Sequence, residues 1–195
     1  MKRSITALAI LLAAVACTGP PSESIRFEQV ALVAVPGGVA AQSLRHGPFR
    51  VDGARASGFS HDALGAALAA SHISPRITAA AGAAISGPTL AEQCFGDIDD
   101  AQASLDSALP LPDSPTADDL TPVSLHYRVI AGDPAGDHVV VSLLADTPQA
   151  RSRGGLSRVD ATLRWYGQDW QLQVPARRPS LQPDTTGYAL LGPTP

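Results

Sequence analysis

The spacing of apolar positions changes partway along the chain. Between Gly58 and His72 it is helical: Leu64, Ala67, Leu68 and Ser71 fall on one side of a helix expected over Asp62 to His72. Ser60 is placed to cap this helix, Phe59 and Leu64 to staple its first turn, and Asp62 to meet the positive end of its dipole. Gly65, Ala66, Ala69 and Ala70 keep it slender, which suits close packing on a sheet. Ser74-Pro75 reads as a break that restarts a short helix to Ala81, because proline suits the first helical position. Gly82 to Pro88 reads as a turn. Thr89-Leu90-Ala91-Glu92 then matches a capping box opening a segment toward Leu109, with Gly96 as its point of division. Pro110, Pro112 and Pro115 make the stretch to Asp119 a surface linker.

From Val123 the period is two. Val123, Leu125, Tyr127 and Val129 alternate with Ser124, His126 and Arg128, and the run stops at Gly132-Asp133-Pro134. His138 to Ala145 is a more continuously apolar strand. Val159, Ala161, Leu163 and Trp165 alternate with Asp160, Thr162 and Arg164, and Gly167-Gln168-Asp169 turns the chain back through Trp170, Leu172 and Val174. Helices first and antiparallel strands afterwards define an α+β class. Leu125, Tyr127, Val141, Leu143, Leu163, Trp165 and Leu172 are expected in one sheet, most of them buried under Leu64 and Leu68. The packed domain is expected over 58–175, with an extended segment at 17–57 and an extended tail at 176–195. Within the former, Ile25 to Val35 is apolar enough for an edge strand ending at Pro36-Gly37-Gly38.

The N-terminus adds an address. Lys2 and Arg3 precede an apolar run from Ile5 to Val15, the charged and hydrophobic parts of a secretory signal over residues 1–16. The run is too short to span a bilayer, which takes about 20 apolar residues. Leu12-Ala13-Ala14-Val15-Ala16-Cys17 resembles a bacterial lipoprotein signal, in which the cysteine becomes the lipidated N-terminus, although Ala14 stands where leucine is preferred. Cys17 is therefore the expected lipidation site, and the outer face of the plasma membrane the expected location. Ala14-Val15-Ala16 also fits ordinary cleavage after Ala16, which would secrete the chain. With Cys17 acylated, Cys94 is a lone thiol; apolar neighbours suggest a buried helical position, and nearby acidic residues argue against a reactive thiolate.

Composition narrows the function further. Without Lys2 and Arg3 the chain carries 12 basic and 18 acidic residues, and its basic groupings are Arg151/Arg153/Arg158 and Arg177/Arg178. That is no surface for nucleic acid, which needs clustered cations. No hydrolase elbow, phosphate loop, dinucleotide fingerprint or metalloprotease motif occurs. Ser60-His61-Asp62 spells a triad only in order, since adjacent residues at a helix start point apart. His126 and His138 lack a third ligand for zinc. The pairs Asp99/Asp100 and Asp118/Asp119 suit helix starts and solubility. No cofactor and no metal are expected.

Val35-Pro36, His46-Gly47-Pro48, Gly58-Phe59-Ser60-His61 with Gly65 to Ala70, and the closing Trp165-Tyr166-Gly167-Gln168-Asp169-Trp170 together resemble a family of actinobacterial envelope proteins encoded in conjugative and integrative elements. The likeness runs from about Phe27 to Pro175. It implies a cone-shaped fold like nuclear transport factor 2, with helices on a curved antiparallel sheet, as in type IV secretion assembly factors. On this footing the chain is expected to be a non-enzymatic, membrane-tethered accessory that binds envelope or secretion-channel proteins. Tyr127, Trp165 and Trp170 are the candidate cavity or partner contacts. A small-ligand binder or minor enzyme of the same cone, or an immunity or exclusion lipoprotein, are the alternatives.

Overall fold

Two hairpins precede the first helix. Val30–Val35 (β1) and Gly38–Ser43 (β2) pair antiparallel around Pro36-Gly37, and Arg50–Asp52 (β3) pairs with Arg55–Ser57 (β4). The computed structural model describes residues 29–108 and 116–194; the leader, Cys17 and the prolines of the linker lie outside the described residues. The described part of the segment expected to be extended thus carries four paired strands. Val30 and Ala41 reach the core, which explains why apolar residues recur there.

Helix α1 (Ala63–Arg76) starts one cap later than expected: the Asp62 carboxylate, not the Ser60 hydroxyl, accepts the Gly65 N–H at 2.7 Å. It also runs through Pro75. A proline in the last turn removes one intrahelical bond from a helix that has only Arg76 left to add. A 3-10 turn at Ala79–Ala81 leads into α2 (Ala83–Gln93), so the expected turn at 82–88 is helical and contains Pro88. Thr89 sits inside α2, where its buried hydroxyl donates to the carbonyls of Ile85 and Ala54 and caps nothing. Cys94–Gly96 (β5) and α3 (Ile98–Asp106) follow. Asp97 caps α3, and Asp99 and Asp100 lie in its first turn, as their charge suits. The end of the expected linker is a short helix, α4 (Ala117–Leu120), with a capping box between Thr116 and Asp119.

The period-two stretches become β6 (Ser124–Gly132), β7 (His138–Asp146), β8 (Leu156–Tyr166) and β9 (Asp169–Val174), with α5 (Pro148–Ser152) between β7 and β8. The expected tail is no tail: β10 (Ser180–Gln182) pairs with the start of β8, and β11 (Ala189–Gly192) pairs with β6. The sheet order is β11-β6-β7-β8-β9-β5, antiparallel except for the parallel β9–β5 pair, with β10 beside β8. This is an α+β fold with a mixed, mostly antiparallel sheet.

The core lies between α1 and one face of the sheet. Leu68 and Ile73 of α1 meet Val141, Leu163, Trp170 and Leu172, all nearly inaccessible, with Leu191 of β11 closing one side. The seven residues expected together do share this sheet: Leu125, Val141, Leu163 and Leu172 are buried, while Tyr127, Leu143 and Trp165 are partly buried against the same cluster. On the opposite face Leu144 and Leu156 are buried, as is Ala150 of α5. No helix among the described residues is long and apolar enough to cross a membrane.

Candidate functional site

Segments that carry the family resemblance, distant along the chain, meet in space. Asp169, at the start of β9, accepts the backbone N–H of Gly58 at 2.7 Å and of Phe59 at 3.2 Å, and also that of Trp170 at 2.9 Å. Trp170 is buried, and its Nε1–H donates to the Ser60 carbonyl at 2.9 Å. The His61 ring stacks on Trp165 with centroids 4.1 Å apart, and stands edge-on to Trp170. The Ser60 N–H donates to the His46 carbonyl at 3.1 Å, which ties in the His46-Gly47-Pro48 motif. Two glycines are required by this crowding. A Cβ on Gly47 would lie 2.5 Å from the Gly58 carbonyl oxygen, and one on Gly65 would lie 1.9 Å from that of Ser60.

Beside this junction lies an open cleft of about 460 Å³ between the β3–β4 hairpin and the β8–β9 turn. Arg50, Asp52, Arg55 and Ser57 alternate along the hairpin and share its cleft face, because side chains two apart point the same way. Tyr166, Asp169 and Gln171 form the other wall, and Glu92 and Gln93 at the end of α2 a third. Arg55 is held between Asp52 and Glu92, which raises its pKa through the Glu92 and Asp52 bonds. Gln93 is buried and clamps β4 through the backbone of Ala56. The walls are therefore pinned, while Tyr166 is 65% exposed at the rim.

Of the expected contacts, Trp170 belongs to the junction and lines the cleft, Trp165 supports it through His61, and Tyr127 stands elsewhere, on β6. Burial, then the charge of Asp62, raises the Tyr127 phenol above its ordinary value. Sequence order misled in one respect: Ser60 and Asp62 converge not on His61 but on His46, whose Nδ1 lies 2.9 Å from Ser60 Oγ and 3.0 Å from Asp62 Oδ2. Nothing local signals this partner, 14 and 16 residues away. The cluster cannot relay a proton as a triad does, since hydroxyl and carboxylate share one ring nitrogen and Ser60 Oγ–H is directed to Asp62 Oδ1 at 3.0 Å. Burial alone would raise the Asp62 carboxyl; the Gly65 N–H, Ser60 and His46 outweigh it and hold it below the usual value.

Cys94 is buried, as expected, but on strand β5 and not on a helix, and desolvation pushes its thiol up to about 12. His126 stands opposite Leu144 and His138 opposite Arg164, at different ends of β7, so the two do not meet. Among the described residues no three His, Cys, Asp or Glu side chains gather to hold a metal. Of the basic groupings, Arg151 is paired with Asp146 and Arg158 with Asp160. Arg158, Asp160, Ser142 and the Tyr188 hydroxyl form a network on the outer sheet face, holding the C-terminal segment against it.

The chain is an α+β domain with a mixed, mostly antiparallel sheet, and the comparisons place it within one family. Residues 13–191 match the family described as "Domain of unknown function (DUF8175)", and the chain belongs to it. No curated protein and no solved structure matches the chain.

Proposed function

We propose that the protein is a lipid-anchored extracytoplasmic accessory that binds other proteins through the cleft, and that it is not an enzyme. The observation that carries this reading is the cleft itself: pinned walls, an exposed Tyr166 at the rim and arginines on the hairpin. Tyrosine and arginine are enriched at protein interfaces, and a fixed wall lowers the entropy cost of docking. Helix α1 laid on a mostly antiparallel sheet supports the finer reading of a cone like that of nuclear transport factor 2. The resemblance to envelope proteins of conjugative elements makes components of a transfer apparatus the partners to look for, with Cys17 as the anchor.

A photo-crosslinking residue in place of Tyr166 or Arg50, in the membrane-tethered protein, tests the site. The expected result is a discrete adduct with another envelope protein, at least tenfold above the yield from the exposed α3 position Asp99. Equal yields at the three positions would overturn the cleft as a docking site. Separately, Cys17→Ala should release the protein from the membrane fraction, because two acyl chains suffice for stable anchoring. Retention of Cys17→Ala in that fraction counts against the lipid anchor and leaves the cleft test standing.

A further inference from the structure

Arg55 is held by Asp52 and Glu92, Arg151 by Asp146 and Arg158 by Asp160. Arg164, partly buried, has no carboxylate partner among the described residues. It stands on β8 opposite Gln171 of β9 and two residues before Tyr166, so all three side chains share the outer face of the sheet. Its Nε–H donates to Gln171 Oε1 at 2.9 Å, and the Gln171 amide donates in turn to the Glu92 carbonyl at 3.1 Å. The guanidinium carbon lies 4.4 Å from the centre of the Phe95 ring and 5.2 Å from that of Tyr166. Two aromatic rings and one anchored nitrogen thus fix the plane of the fork. Its two terminal nitrogens make no hydrogen bond to a described residue.

Tyr166 and Gln171 both touch Arg164 and line the cleft, so these unused donors lie beside the docking surface. The carboxylates of the cleft are already engaged: both Asp52 oxygens and one of Glu92 bond Arg55, and Asp169 accepts three backbone N–H groups. The arginines left without an acceptor among the described residues are Arg50 and Arg164. An occupant therefore has to bring acceptors. We propose that Arg164 is the receptor for a single carboxylate of the protein that docks in the cleft, held end-on by the two terminal nitrogens and flanked by Tyr166 and Phe95. This assignment rests on the docking reading given above and names the chemistry of the partner.

Geometry and charge select a carboxylate over other anions. With Nε bonded to Gln171, the remaining edge of the fork offers two parallel N–H groups, the spacing that a planar carboxylate accepts in bidentate fashion. Aromatic faces against the guanidinium exclude water from its plane and leave its charge in place. A phosphate or polyanion needs clustered positive charge. Here Arg50, Arg55 and Arg164 are matched in number by Asp52, Glu92 and Asp169, so a multiply charged ligand meets as many like charges as opposite ones. One carboxylate on one guanidinium does not face that penalty.

Lys2, in the expected leader, is the one lysine of the chain, so an amine can be introduced at a single chosen place. In the full-length, membrane-tethered protein, Arg164→Lys treated with a carbodiimide should join the partner's carboxylate through an amide bond, the reagent taking up the water released. At least tenfold more protein adduct is expected than from Arg153→Lys at the exposed end of α5. Sequencing the branched peptide tells an Asp or Glu side chain from a C-terminal carboxylate, and either upholds the receptor. In a second arm, Arg164→Gln should cut the photo-adduct formed from the Arg50 position at least tenfold, with a cooperative urea transition showing that the fold is intact. If that photo-adduct forms and Arg164→Gln leaves it undiminished, the receptor is overturned and the docking reading stands. Equal photo-adduct yields at Arg50, Tyr166 and Asp99 remove the docking reading and the receptor with it. Coupling of the new amine only to lipid, or no more than at Arg153→Lys, also overturns the receptor.

Discussion

Asp169 shows how much one side chain decides. Its carboxylate accepts three backbone N–H groups, two of them from the loop before α1, and so fixes where that helix begins relative to the last hairpin. His72 exerts a second, hidden influence. It is 1% exposed, donates its Nε2–H to the Ala41 carbonyl, and packs against Phe59. Burial first, then the positive Arg76, lowers its pKa from 6.5 to about 4, against the opposing pull of the Ala41 bond. The unfolded chain therefore takes up this proton first as the pH falls. Stability is undiminished above pH 6.5 and declines toward about pH 4, by roughly 3 kcal/mol over the window. Asp62 and Asp146, whose carboxyls lie below their ordinary 3.8, add their losses only at lower pH. Urea unfolding followed by tryptophan fluorescence should show the decline between pH 6.5 and 4 in the wild type and its absence in His72→Gln.

Among the elements, the β8–β9 hairpin is the one whose turn conflicts with its residues. Gly167 and Gln168 both have positive φ, 59° and 71°, the pattern of the two-residue turn that matches strand twist. Glycine adopts it freely. Glutamine does so at a cost of about 1–2 kcal/mol, because its Cβ crowds the following carbonyl. Gln168→Gly should relieve that cost, offset in part by about 0.5–1 kcal/mol of extra freedom in the unfolded chain, for a net gain of up to about 1 kcal/mol. Gln168→Val should instead lower stability, since a β-branched residue fits this region worst. Denaturation midpoints of the two variants moving in opposite directions check this; a shift of the same sign in both would place the strain elsewhere.

At the scale of the whole molecule, the segment 188–194 completes the fold. Leu191 is fully buried in the main core, β11 forms the edge beside β6, and Thr194 binds Val30, 164 residues away. Tyr188 is held by Ser142 on the outer sheet face. A chain ending at Pro175 would expose the β6 edge and lose Leu191, whose removal alone leaves a cavity worth about 2–5 kcal/mol. Such a chain should lose its cooperative urea transition, whereas a true extended tail could be deleted with no shift in midpoint.

Local patterns were legible because they report on local physics. Alternation over 123–129, 159–165 and 170–174, and a continuous apolar run over 138–145, mark strands, and β6 to β9 stand there. Helical spacing after Ser60 marked α1. What tertiary structure alone decided lay where two groups competed for one role. Asp62 displaced Ser60 as the cap because Ser60 is engaged by His46 and Asp62, and Thr89 was drawn inward by the Ala54 carbonyl. The 176–194 segment looked structureless because β10 and β11 are three and four residues long, too short to show a period, and acquire their partners only from β8 and β6. The cleft was invisible for the same reason. Its walls come from three parts of the chain, joined by hydrogen bonds that span 110 residues, and spacing along a sequence carries no information about bonds of that reach.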